Sequence, residues 1–147
     1  MAQSITELQL SPNYLFSPTP SGRTSVTGIT NTTNGTSGAV QTHSSATGGT
    51  AYSRIRVRVR ITSSAQAGGQ AYPALQLKVS TTSAMTTPEV VALWPGNDYT
   101  TAATNETATF ELFGWSNVGF QYSQLFATGL ANATSTYTYD AYFDVCP

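Results

Sequence analysis

The stretch Ser53-Arg54-Ile55-Arg56-Val57-Arg58-Val59-Arg60-Ile61-Thr62 alternates arginine with a β-branched aliphatic residue without a break. Side chains on a β-strand point to opposite faces with period 2, so Ile55, Val57, Val59 and Ile61 line one face. The four arginines line the other. In a helix each residue turns by about 100°, which would wrap the charges round the axis. The run is a strand with one face on a core. Its second face meets water, counter-charges or a partner.

Working outward, Thr136 to Cys146 alternates in the same way. Tyr137, Tyr139, Ala141, Phe143 and Val145 share one face, and Thr138, Asp140, Tyr142 and Asp144 share the other. After Pro73, Leu75, Leu77 and Val79 alternate with Gln76, Lys78 and Ser80. This strand reads as an antiparallel partner of the arginine strand, joined to it by a loop over 63–70. The nearly continuous apolar run Glu89 to Trp94 reads as a short strand buried on both faces, with Trp94 in the core. Thr107 to Phe113 alternates again. Gly114-Trp115-Ser116-Asn117 reads as a turn into a strand over 118–126. Residues 21–50 are mostly Gly, Ser, Thr and Asn, with turn signals at Asn34-Gly35 and Gly48-Gly49 around short strands near 24–30 and 38–43.

Eight or nine strands at intervals of about 10–18 residues, with no helix-period segment, predict an all-β sandwich. The strand count and long connections favour a jelly roll of about eight strands. The Cys…Trp…Cys pattern of a true immunoglobulin domain is missing. A length of 147 residues fits one domain spanning 1–147. Residues 1–20, with Tyr14, Phe16, Pro18 and Pro20, read either as an extended N-terminal arm on a neighbouring subunit or as a plain leading strand.

Charged residues make up only 9% of the chain, against about 25% in an ordinary soluble protein. Hydroxyl and amide side chains supply the polarity. Four of the six basic residues sit in the arginine strand, so the broad basic surface of a nucleic-acid binder is absent. No apolar run reaches the length of a membrane span, and the N-terminus has no signal-peptide pattern, so synthesis in a cytoplasm is expected. Cys146 is the only cysteine, which excludes an intrachain disulfide. His43 is the only histidine and reads as a surface residue, with no neighbours in sequence to complete a metal site or a catalytic triad.

One histidine, one cysteine and seven carboxylates leave little material for a nucleophile–base–acid set. Asp140 and Asp144 share a face, but with Cα atoms roughly 13 Å apart at about 3.3 Å per residue they are wide for a glycosidase pair. No enzyme activity, cofactor or metal is expected. Two binding roles remain. Trp115, Tyr99 and Asp98 fall in or beside turns and could stack on and hydrogen-bond a sugar. The arginine face, Arg54, Arg56, Arg58 and Arg60, could join Tyr14 and Phe16 in a protein interface. Neighbouring arginines about 6.6 Å apart repel by roughly 0.6 kcal/mol per pair in water and about four times that near an effective dielectric of 20. If covered, they need partners. Asp140, Asp144, Glu111 and Glu106 could pair with them internally, or a neighbouring protein could do so. If they face a neighbour, the double substitution Arg56→Glu/Arg58→Glu should leave the fold intact and weaken assembly.

A small, charge-poor, Thr/Ser/Gly-rich β domain with these features resembles the decoration or cement proteins of tailed bacteriophage heads. The resemblance covers composition and length, and no motif aligns. It implies a homo-oligomer, a trimer before a dimer, bound to the major capsid protein on the outside of the virion and reinforcing the shell. The alternative is a carbohydrate- or receptor-binding module of a phage tail fibre.

Overall fold

The computed structural model describes residues 22–30, 35–43, 51–65, 70–96, 100–101, 107–128 and 136–146, with side chains placed except at 22–30, 63–65, 70–71, 100–101 and 136. The expected N-terminal arm with Tyr14 and Phe16, together with Glu106, Tyr99 and Asp98, lies outside these residues. Among the described residues eleven strands run in chain order: β1 (Gly22–Thr30), β2 (Thr36–Ser37), β3 (Gln41–Thr42), β4 (Tyr52–Ala65), β5 (Gln70–Ala71), β6 (Leu75–Ser80), β7 (Glu89–Trp94), β8 (Thr100–Thr101), β9 (Thr107–Phe120), β10 (Tyr122–Ala127) and β11 (Thr136–Cys146).

Two antiparallel sheets face each other. The first has the order β1-β11-β4-β9; the second has the order β2-β10-β6-β7, with β3 also paired to β10. Because β2 and β3 meet the same strand, they act as two halves of one. With β5 and β8 forming a separate two-stranded ribbon, the sandwich is made of eight strands in the orders 1-8-3-6 and 2-7-4-5. That is the double Greek key of a jelly roll.

The alternation in β4 holds as read. Ile55, Val57, Val59 and Ile61 are buried in the core with Leu75, Leu77 and Val79 from the opposite sheet and Tyr137, Tyr139, Ala141 and Phe143 from β11. Aromatic side chains cluster at two places. Trp94 stacks on Phe110 with ring centroids 3.9 Å apart, beside Tyr72 and Tyr137. Tyr52, Phe120 and Phe143 surround His43.

Four local expectations change. The partners of β4 are β9 and β11, and β6 belongs to the other sheet. Two alternating strands close in sequence can lie across the core from each other as readily as side by side. The run Glu89–Trp94 is an edge strand, with Val90 and Leu93 half-exposed and Trp94 buried. Residues 114–117 continue β9 as a strand. The chain changes sheets at Gln121, after Gly119 with φ of 77°, a left-handed backbone that suits glycine. His43 is buried, 6% exposed, where a surface position was expected. Its Nε2 lies 2.6 Å from Ser123 Oγ, which satisfies one ring nitrogen inside the core.

Candidate functional face

The arginines of β4 lie on the outward face of the first sheet, between the outward side chains of β11 and β9. Register places four rungs across this face: Cys146–Arg54–Trp115, Asp144–Arg56–Phe113, Tyr142–Arg58–Glu111 and Asp140–Arg60–Thr109. Each rung follows from period 2 on three adjacent strands. Trp115, read at first as a turn residue, joins the face because β9 runs on through it.

The charges of the second and third rungs are neutralised within the chain. Asp144 is fully buried, and its Oδ2 accepts from Arg56 Nε at 3.1 Å and Nη2 at 2.8 Å. Arg58 Nη2 donates to the same oxygen from 3.3 Å, and Arg58 Nε lies 3.5 Å from Glu111 Oε1. Arg56 is itself only 8% exposed. A carboxylate held by two guanidiniums offsets the repulsion along the row, and charge-assisted bonds of this kind are the strong ones. The Arg58–Glu111 contact is open to solvent and contributes a few tenths of a kcal/mol at most. Arg56 is therefore part of the framework of the face. Reversing it would set a second carboxylate against Asp144, so Arg56→Glu/Arg58→Glu is not a clean probe of assembly.

At the first rung, Arg54 Nη2 lies 3.4 Å from the buried Cys146 Sγ. Ser53, Arg54 and Trp115 border an open cavity of about 360 Å³. Trp115 is 69% exposed and Phe113, one rung along, 60%. The register between β4 and β9 slips here: Arg54 faces Trp115, whereas Tyr52 faces Phe120. The extra residues on β9 form a bulge that leaves Val118 79% exposed. On the neighbouring β7, Val90 is 50% and Leu93 57% exposed. The edges of the two sheets touch here, with Ser116 Oγ donating to Glu89 Oε2 at 2.7 Å. The exposed large apolar side chains among the described residues all lie on β7 and β9. Sequence alternation could have placed Phe113 and Trp115 outward. Nothing local in the sequence pairs β7 with β9 as adjacent edges.

Among the described residues no group of three or more His, Cys, Asp or Glu side chains is arranged to hold a metal ion. No helix there is long and apolar enough to cross a membrane.

The sequence matches no protein-family model and no curated protein. Solved structures that resemble the fold include a family 29 carbohydrate-binding module, with a TM-score of 0.38, 10% identity, and coverage of 84% of this chain and 89% of that one. A mutant of the module CBM29-2 complexed with mannohexaose gives a TM-score of 0.37 and 10% identity, covering 84% and 92%. The SPBc2 prophage-derived protein YomS gives a TM-score of 0.32 and 11% identity, covering 83% and 93%. Likeness at this level carries no argument about function.

Proposed function

We propose that this chain is a non-catalytic structural protein of a virus particle that binds the outside of the capsid as a homotrimer and stabilises the shell by contact alone. One observation supports this reading over the others: the exposed apolar side chains Val90, Leu93, Phe113, Trp115 and Val118 gather on two touching edge strands. Protein interfaces are enriched in aromatic residues and arginine and depleted of charge at their centre. The buried Arg56–Asp144 pair gives the face a rigid floor, and rigidity lowers the entropy cost of docking. Trimeric state and capsid as partner follow from the resemblance in composition.

The test adds purified chain to capsids assembled without it, then follows co-sedimentation and heat resistance. Binding and a raised disruption temperature are expected, both reduced in Phe113→Ser/Trp115→Ala. A chain that stays monomeric and neither sediments with capsids nor changes their heat resistance would sink the reading.

A carbohydrate-binding role is favoured by one specific feature, the exposed Trp115 indole beside the cavity bordered by Ser53 and Arg54. Glycan-array binding that disappears in Trp115→Ala, with capsid association absent, would make it the better account. Measurable hydrolytic turnover lost in Asp140→Asn would instead overturn the non-catalytic reading.

A further inference from the structure

Residues 35–43 run along β10 on the side away from β6, so among the described residues they form one margin of the second sheet. Backbone pairing holds this strap at both ends. Thr36 and Ser37 lie opposite Ala127 and Phe126, and Gln41 and Thr42 lie opposite Ser123 and Tyr122. Gly38 N donates to Leu125 O and His43 N to Gln121 O, each at 2.8 Å. Within the strap only Gly38 and His43 are buried. Glycine has no side chain, so the His43 imidazole is the one buried side chain that the strap contributes.

The surroundings of that ring suit its neutral form. Tyr52 from β4, Phe120 from β9 and Phe143 from β11 enclose it, with centroids 6.1 to 6.3 Å away. From β10, Ser123 Oγ lies 2.6 Å from Nε2, while Nδ1 has no hydrogen-bond partner among the described residues. Tyr52 is the one titratable group in this set. Arg56, Glu111 and Asp144, on the same strands, belong to the outer face. A neutral ring can leave Nδ1 as a bare acceptor, but a protonated ring buries an N–H there with nothing to receive it.

We infer that residues 35–43 are an acid-released strap, which lets go of β10 when His43 takes up a proton while the rest of the sandwich stays folded. His43 is the only titratable residue of the strap. Its other ties are neutral: Gln124 Nε2 donates to Gly38 O at 2.8 Å, and Gly35 fits against the Phe126 ring, where a Cβ would collide. A short marginal segment can open at a lower free energy than the whole fold. Release leaves β10 paired with β6 and uncovers its Tyr122–Ala127 edge, whose backbone groups can then meet another strand. Burial lowers the ring's pKa from 6.5 to about 4, whereas the released ring titrates at its ordinary value. Closure is therefore fully favoured above pH 6.5 and weakens as pH falls from there through about 4. Neither the capsid reading nor the carbohydrate reading uses His43 or β10, so the inference stands or falls apart from both.

The test is amide hydrogen exchange on the full chain from pH 7 to pH 4, with rates corrected for their intrinsic pH dependence. Protection at Gly38 and His43 should fall on the order of a hundredfold, at up to about tenfold per pH unit. Amides of the β6–β10 and β4–β11 ladders should keep theirs. His43→Gln, whose amide can still bond Ser123 but does not titrate, should hold Gly38 protection down to pH 4. His43→Leu/Ser123→Ala gives the same readout without a buried polar pair. Unchanged Gly38 protection in the parent would overturn the inference. Loss at His43 alone would do so too, since the ring would then turn out while the strap stays. Equal loss in the two ladders would mean that the whole fold opens, and equal loss in both variants would assign the effect to other groups.

Discussion

Asp144 shows at the scale of one residue how a charged row is tolerated in a charge-poor chain. Its side chain is 0% exposed and takes three guanidinium N–H groups on one oxygen. Removing it takes from the buried Arg56 the carboxylate that binds its Nε and Nη2. Asp144→Ala should cost about 3–5 kcal/mol in denaturant unfolding, whereas Arg56→Met/Asp144→Leu should cost far less, because both charges go together. The core histidine makes a second prediction. Burial lowers the His43 pKa from 6.5 to about 4, so the folded state holds a neutral ring. A depressed pKa for a base means that the unfolded chain binds the proton first. Its stability contribution is fully present above pH 6.5 and is lost as pH falls from 6.5 through about 4. The loss is on the order of 3 kcal/mol at about 1.4 kcal/mol per pH unit. Unfolding midpoints measured across this window should drop in the parent and flatten in His43→Leu/Ser123→Ala, where both hydrogen-bonding partners are gone. An equally steep drop in the double variant would assign the effect to other groups. A third prediction concerns Tyr139, whose buried hydroxyl has no hydrogen-bond partner among the described residues. Tyr139→Phe should raise stability by about 1 kcal/mol, since a desolvated, unpaired hydroxyl is removed.

At the scale of the element, β9 shows why part of the chain misleads when read locally. Gly114-Trp115-Ser116-Asn117 has the composition of a turn. Yet Gly114 occupies an inward position within β9, where β9 approaches β7. A Cβ there would collide with the Val91 side chain of β7 and crowd Ile55 of β4. The glycine is needed for closeness between two edges, and the chain does not turn at it. Gly114→Ala should therefore destabilise by about 1–3 kcal/mol despite better intrinsic propensity, as overpacking does. Thermal unfolding that shows no loss would mean that β7 can move away. The apolar run of β7 misleads in a different way. Valine and leucine there suit a strand buried on both faces or an edge strand awaiting a partner, and composition cannot separate the two.

At the scale of the whole molecule, the jelly roll gathers exposed apolar side chains on one flank and ion-paired arginines on the adjoining face. If that flank carries self-association, Val90→Ser/Leu93→Ser should reduce oligomer mass in sedimentation while leaving the unfolding midpoint unchanged. Those two side chains are already half in water in the single chain. An unchanged mass would move the interface elsewhere. Period 2 in β4 and β11 determined the strands, their buried faces and the outward direction of every arginine in β4, because pleat geometry is local. The eight-strand count and the connections were also enough to select a jelly roll. What only the tertiary structure decided is which strands lie side by side. That pairing depends on contacts between residues far apart in sequence, and it turned Asp144 into a buried counter-ion, brought His43 into the core and made β7 and β9 touching edges. It also divided the arginine row, burying Arg56 against Asp144 and leaving Arg58 and Arg60 exposed, because Asp144 lies opposite Arg56 in register.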